Sequence, residues 1–549
     1  MHKICSTLCI QYLKLNFSIP ASCFHRAIKR QSSTIFEGIN NNLPTSPSGW
    51  ALAVLGAASV GLQYELHLQK QLTSPPLVYC QIGNDGDGSE SKKGGSVLND
   101  KMDRIYAKLS GKKGRSSIGQ HDNRETDEEE GILTRKIKPQ MFLGTRGLMS
   151  STAAYALGSN KKDDIQKTRR EREVMTMAAD GALIVLDWEI PLTSTSVSQT
   201  AIEEEIDIKQ SNSITKPIIL LLHGMNNDST FGYIRSMMRT ATERGWIAVC
   251  MNFRGQDGDH QVKNNTPRGY NAGFTGDLRG VVQQLEHRLK KKSTSSSEEE
   301  DDYVGGPIFI LGYSLGANVV TKYLGEESLH GTLPKCIGGG AAMGNPLHIH
   351  SGTIRFPWNI ILGAGVKRSL LQNIQSFKSH NDPGFQHAMK KAMLAPTIGK
   401  LDDVAAPYLA RNDPYPPYTH RIGFKDGEEY WWDSSSHRYV AHVSVPLLKI
   451  SAQDDFLVFG QFRKKLNYCM ENPNVIVVKT KCGGHLGWQE SPPPSKNGDK
   501  KGSGSWSDIA VADFIQALLQ VREEDQKEKN IGTRDESVKK NSPTVLSRL

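Results

Sequence analysis

Six short apolar runs set the narrowest limit on how this chain can fold. Residues 217–223 (PIILLLH), 246–253, 307–312, 336–343, 446–452 and 475–480 each hold apolar or small residues at successive positions, and not only at alternate ones. Consecutive apolarity over five to eight residues is the pattern of a strand buried on both faces, and such strands belong to parallel sheets covered by helices. Residues 233–244, 276–290, 317–325 and 507–521 predict helices between and after these strands. Ahead of them, 174–178 and 182–188, joined through Asp180-Gly181, predict an antiparallel hairpin. A hairpin followed by strand–helix–strand units gives an α/β domain with a mostly parallel central sheet and helices on both faces. Residues 347–445 break the pattern with polar, helix-leaning sequence. Placed before the last two strands, they predict an inserted helical cap.

The chain has 549 residues, of which 37% are apolar. That is below the usual fraction of about 45–50%, so part of the chain should lie outside any core. Segments 83–135, 193–213, 290–302, 491–505 and the stretch after 521 are rich in Gly, Ser, Lys and acids, a composition that cannot bury enough surface to order itself. The expected organisation is a targeting leader at 1–47, a hydrophobic segment and candidate membrane anchor at 48–66, and a disordered linker at 67–135. The folded domain follows at 136–521 with its cap at about 347–445, and a disordered charged tail at 522–549. The net charge of +9 is small for this length and predicts no nucleic-acid partner. The eight cysteines form no CxxC pair, which argues against a disulfide scaffold and against a structural zinc site.

The N-terminal 36 residues contain no acid but five Lys and Arg, as organellar transit peptides do. Residues 50–62 (WALAVLGAASVGL) are apolar or small, and a helix of that length rises about 20 Å, short of a full span of ~30 Å. No run of ~20 strongly apolar residues exists, so a polytopic membrane protein is excluded. The chain ends Ser547-Arg548-Leu549, one conservative change from a peroxisomal address.

Gly312-Tyr313-Ser314-Leu315-Gly316 is a G-x-S-x-G directly after a predicted strand and before a predicted helix. That strand–turn–helix context is what a nucleophile elbow requires. A serine hydroxyl attacks only when a base takes its proton, and the base needs an acid to hold its tautomer. Downstream, Asp454-Asp455 ends the strand at 446–452, and His485 follows Gly483-Gly484 after the strand at 475–480. We expect Ser314, Asp455 and His485 to be catalytic, with Asp454 as the alternative acid. The amides of Leu315 and Met225 are the expected oxyanion donors, the latter from the turn His223-Gly224-Met225. His223 begins an H-x-x-x-x-D spacing seen in some acyltransferases, but at a strand end it reads as structural. His348 and His350, without Cys or acid nearby, read as cap residues and not as metal ligands.

These motifs resemble a family. His223-Gly224, Asn252-Phe253-Arg254-Gly255, Tyr270-Asn271-Ala272-Gly273, residues 312–318 with Lys322-Tyr323-Leu324-Gly325, Asp454-Asp455 and Gly483-Gly484-His485 are similar to the α/β-hydrolase-domain lipases. That group includes embryogenesis-associated hydrolases of plants, medium-chain ethyl-ester synthases of yeast and bacterial predicted esterases. Gly423-Phe424, Glu429-Tyr430-Trp431 and Ser434-Ser435 look like its cap signature. The resemblance implies an α/β-hydrolase fold with Ser314, Asp455 and His485 as triad. It also implies acyl esters or glycerolipids as substrates and, in many eukaryotic members, an N-terminal membrane anchor. Ala317 and Phe456 depart from the pattern, standing where the family has Gly and Pro.

The expectation is therefore a serine carboxylic-ester hydrolase working through an acyl-enzyme, with no metal or organic cofactor. Its partners would be an acyl-ester or lipid substrate and a membrane surface; the sequence leaves the oligomeric state open. The alternatives are an acyltransferase that moves acyl groups to an alcohol and a catalytically silent hydrolase fold used for binding. For location, the leader points to mitochondrion or plastid, the C-terminal residues to the peroxisome, and the apolar segment to membrane association.

Overall fold

The computed structural model describes residues 61–80, 97–111, 131–157, 168–192, 214–257, 262–290, 305–378, 383–409, 424–458, 462–491 and 505–540. They fall into two units divided after His67. In the first, residues 61–67 are helical. The second holds a nine-stranded sheet. Its strands in chain order are β1 (Leu77–Tyr79), β2 (Thr168–Thr176), β3 (Leu183–Pro191), β4 (Ile218–Leu222), β5 (Ile247–Asn252), β6 (Ile308–Tyr313), β7 (Ile337–Met343), β8 (Leu447–Ala452) and β9 (Val475–Thr480). Their order across the sheet is β1-β9-β8-β7-β6-β4-β5-β3-β2. Strands β4 to β9 pair in parallel, while β1, β2 and β3 add antiparallel edges.

The consecutive apolar runs become these parallel strands because both faces are covered. Ile218, Leu220 and Leu222 enter one core, with helices Gly276–Leu289 and Leu315–His330. Ile219 and Leu221 enter the other, with helices Gly232–Glu243 and Trp506–Lys540. β4 and β5 run to one side, and β6 then returns to the other side of β4. That reversal leaves a crevice at the carboxyl ends of β4 and β6, where open α/β sheets bind ligands. With this topology and its cap, the chain has the α/β-hydrolase fold.

Three segments differ from the expected layout. Residues 77–79 and helix Val97–Leu109 lie within the stretch expected to be linker, yet β1 pairs with β9 and Met102, Ile105 and Leu109 are buried in the core. The spacing i, i+3, i+7 is that of a buried helical stripe, which the surrounding Lys and Asp mask in the composition. The C-terminal helix runs on to Lys540, through the stretch expected to be tail. Arg104 binds its Glu524 and Asp525 at 2.8 and 2.7 Å, a tertiary contact that no local pattern announces. Of the segment 48–66, residues 61–66 are helical and the rest lies outside the described residues, as does the leader. No described helix is long and apolar enough to cross a membrane.

Asp508 gives a pH test of this packing. Its carboxyl is buried beneath helix Gly232–Glu243 and meets the Ser236 hydroxyl at 2.6 Å; burial pushes it up to about 7. Unfolded, it should titrate near 3.9. Between about pH 4 and pH 7 the folded state therefore holds a proton that the unfolded state has lost, so stability falls as pH rises. We predict that Asp508→Asn loses less melting temperature than wild type between pH 5 and pH 8. The difference should correspond to at most about 3 kcal/mol. Equal pH slopes would contradict it.

Candidate active site

Ser314 sits at the turn from β6 into helix Leu315–His330 with φ 54° and ψ −113°, a conformation that costs a non-glycine residue about 1–3 kcal/mol. The flanking glycines make the turn possible. A Cβ on Gly312 would lie 2.3 Å from the Gly316 carbonyl oxygen, and one on Gly316 would lie 2.4 Å from that of Leu222. The Ser314 amide donates to Met343 O at 2.8 Å, pinning the turn to β7.

The structure brings Ser314, His485 and Asp455 together from three strand ends. His485 Nε2 lies 2.8 Å from Ser314 Oγ, and its Nδ1 lies 2.9 Å from Asp455 Oδ2. The amides of Leu457 and Val458 donate to Asp455 Oδ1 at 2.9 and 3.0 Å. The carboxylate thus presents its other oxygen to the ring. With Nδ1 donating to Asp455, Nε2 is free to accept the serine proton. His485 is 1% exposed and Asp455 6%, so the relay is shielded, while Ser314 lines an open cavity.

Asp454 does something else. Its Oδ1 accepts from the Gly484 amide at 2.8 Å, holding the turn that carries His485. Burial pushes its carboxyl up to about 6, against the opposing pull of the backbone amides that bond to it. Cys482 is buried, and burial raises its thiol to about 12, so it is no nucleophile.

Met225 and Leu315 both line the cavity, and their amides have no hydrogen-bond partner among the described residues. The turn that presents Met225 is fixed on either side. Gly224 N and Asn227 Nδ2 both donate to the Tyr233 hydroxyl, at 2.9 and 2.7 Å, and Asn226 N donates to the Tyr270 hydroxyl at 3.2 Å. His223 points away from this chemistry. It is fully buried, accepts from Phe253 N at Nε2 (3.1 Å) and donates from Nδ1 to Gly224 O (2.8 Å). Burial lowers it to about 4, so it stays neutral. His348 packs on His437 and Trp432. Among the described residues no group of three His, Cys, Asp or Glu is arranged to hold a metal.

Several supporting residues escape sequence reasoning. Ser151 Oγ accepts from the His485 amide at 2.8 Å, so helix Gly147–Leu157 holds the histidine loop. Asn318, one turn beyond Ser314, donates to Ala272 O and Ser434 O and accepts from Ser436 N, tying the elbow helix to the cap. The only available signal was the polar side chain one helical turn after the elbow serine. The inserted segment between β7 and β8 carries helices Trp358–Gln372, Pro383–Leu394, Ile398–Leu409 and Gly427–Ser434. With the β4 and β6 turns it walls an open cavity of about 150 Å³. The lining is mostly apolar, with Asp402 held by Trp431 Nε1 at 2.9 Å as a carboxyl group on the wall. Phe456, one of the two departures from the family pattern, packs on Trp358 with ring centroids 4.6 Å apart and planes tilted by 46°. Ala317 is fully buried behind the elbow.

A buried Ser–His–Asp relay on the carboxyl edge of this sheet, opening into an apolar cavity, is serine-hydrolase geometry on an α/β-hydrolase fold. No family model matches the chain. Similar curated proteins do. The chain is 26% identical over 398 residues to embryogenesis-associated protein EMB8 of Picea glauca, covering 72% of this chain and 75% of that one. It is 26% identical over 351 residues to phospholipase ABHD3 of Mus musculus, covering 64% and 72%. Against a monoacylglycerol lipase of Saccharomyces cerevisiae it is 25% identical over 293 residues, 51% of this chain and little more than half (57%) of that one. The chain is thus similar to lipases and esterases of the α/β-hydrolase kind.

Proposed function

We propose that this protein is a serine carboxylic-ester hydrolase that cleaves acyl esters, glycerolipids among them, through an acyl-enzyme. The observation that carries the reading is the unbroken hydrogen-bonded chain from Ser314 Oγ through His485 to Asp455 at the wall of an apolar cavity. Ser314 attacks the ester carbonyl while His485 Nε2 takes its proton. Asp455 holds the tautomer and stabilises the imidazolium. The unpartnered amides of Met225 and Leu315 receive the developing oxyanion. His485 then protonates the leaving alcohol, and water, activated by the same nitrogen, releases the acid. No metal or organic cofactor enters this sequence. The substrate class is supported by the apolar cavity and by the lipase and phospholipase relatives. Lipid profiling of the active protein beside Ser314→Ala tests it: acyl esters should be consumed only by the former.

We further propose that the protein is membrane-associated, held by residues near 50–64, with the catalytic domain beyond them. The apolar run 50–62 motivates this. Carbonate extraction should leave the full chain in the membrane fraction and release a chain beginning near residue 68, which keeps β1 and helix Val97–Leu109. Equal release would remove the anchor. Relocation on deleting Ser547-Arg548-Leu549 alone would replace it with the peroxisomal address.

A further inference from the structure

Helix Trp358–Gln372 carries apolar side chains on two opposite faces. Leu362, Val366 and Leu370 line the cavity. On the other side Ile360, Ile361 and Leu371 are 46%, 53% and 54% exposed, and Ala364 and Arg368 share their stripe at helical spacing. Phe356, just before the helix, is 78% exposed, and Leu394 is 84% exposed. Leu394 borders the same stripe, because Lys367 Nζ donates to the neighbouring Ala395 O at 2.5 Å. Large apolar side chains exposed together mark an interaction surface.

Charge identifies the occupant. Between residues 351 and 400 seven Lys and Arg stand against one acid, Asp382. Arg355, Arg368, Lys390 and Lys391 are exposed. An apolar stripe set among cations matches a bilayer with anionic headgroups, where the apolar side chains enter the acyl boundary and the cations meet phosphate. A second copy of the chain would set these cations against themselves.

The helix also bridges the two turns beside Ser314. Its Trp358 packs on Phe456, next to Asp455, and Asn226, next to Met225, donates from Nδ2 to Leu362 O at 3.2 Å. We propose that the exposed face of helix Trp358–Gln372, with Phe356 and Leu394, docks on an anionic phospholipid surface. The docking itself does not depend on the ester-hydrolase reading, although its most sensitive assay does.

The test uses the full chain and its Ile360→Glu/Ile361→Glu variant, neither residue lining the cavity. Turnover is measured on a long-chain ester embedded in phosphatidylcholine–phosphatidylglycerol vesicles and on a soluble short-chain ester. Vesicle turnover should fall about tenfold or more in the variant, because two apolar side chains no longer enter the bilayer. Soluble turnover should stay within about twofold, since nothing in the cavity wall has changed. Replacing phosphatidylglycerol with phosphatidylcholine should also slow the wild type on vesicles. Equal losses on both esters, or none on either, would overturn the proposal. So would a changed oligomeric state with unchanged vesicle turnover, which would make this face a contact between copies. If the wild type cleaves neither ester, the hydrolase reading fails and vesicle flotation decides: flotation weakened in the variant upholds docking, and equal flotation overturns it.

Discussion

Replacing Ser314 with alanine should lower ester turnover by several orders of magnitude, on the order of 10⁶-fold, and abolish labelling by a fluorophosphonate. The remaining His485–Asp455 pair has no hydroxyl to activate. Only binding and the amides of Met225 and Leu315 would still act on an ester. The same position offers a stability readout that a bystander serine would not show. Because Ser314 holds φ 54° and ψ −113°, Ser314→Gly should relieve backbone strain. That protein should melt higher than Ser314→Ala by an amount corresponding to about 1 kcal/mol while remaining inactive. Labelling that survives Ser314→Ala would end the assignment of the nucleophile.

Asp455→Asn should cost about 10⁴-fold in turnover, and Asp454→Asn less than about tenfold. The two acids are chain neighbours, but only Asp455 touches the ring of His485. An asparagine there would present an amide N–H or a weak acceptor to Nδ1. In the first case Nδ1 must accept, Nε2 carries the proton, and the ring can no longer take one from Ser314. At position 454 an asparagine keeps an oxygen for the Gly484 amide, so the histidine turn survives. Steady-state kinetics of both variants, with circular dichroism to confirm folding, decides between them. The opposite ranking would make Asp454 the triad acid and would require the His485 turn to rearrange.

The parallel strands were legible because burial on both faces leaves consecutive apolar residues, as in Ile218–Leu222, which admit few other readings. The elbow was legible for a related reason: a turn that brings Gly316 against the Leu222 carbonyl tolerates only glycine, and so leaves a local pattern. What periodicity could not show was partnership across the chain. Ser151 supports the histidine loop from a distance of 334 residues, and Arg104 reaches the C-terminal helix across more than 400. Neither contact has a local signature, since each depends on two segments meeting in the finished fold. The helix Val97–Leu109 was hidden for another reason. Its three buried side chains lie in a stretch whose average composition is that of a solvated linker.

The choice between Asp454 and Asp455 shows where sequence reading reaches its limit. Both follow the same strand and both are acids, Asp455 buried and Asp454 half-buried in the folded chain. Their roles separate only through which backbone amides each meets. Asp455 turns one oxygen to Leu457 and Val458 and the other to the imidazole, while Asp454 turns to Gly484. The cavity is a collective feature of the same kind. Its walls come from the β4 turn, the loop after β5, the β6 elbow, the loop after β8 and the cap, and its apolar character belongs to none of them singly.

The central claim is a covalent acyl group on Ser314 during turnover. Acid quenching within the first turnovers of an activated ester, followed by digestion and mass spectrometry, measures it directly. The acyl mass is expected on the peptide that carries Gly312-Tyr313-Ser314-Leu315-Gly316, and no such adduct is expected in Ser314→Ala. Turnover with the acyl group on another residue, or with no adduct under conditions where deacylation is slow, would contradict it.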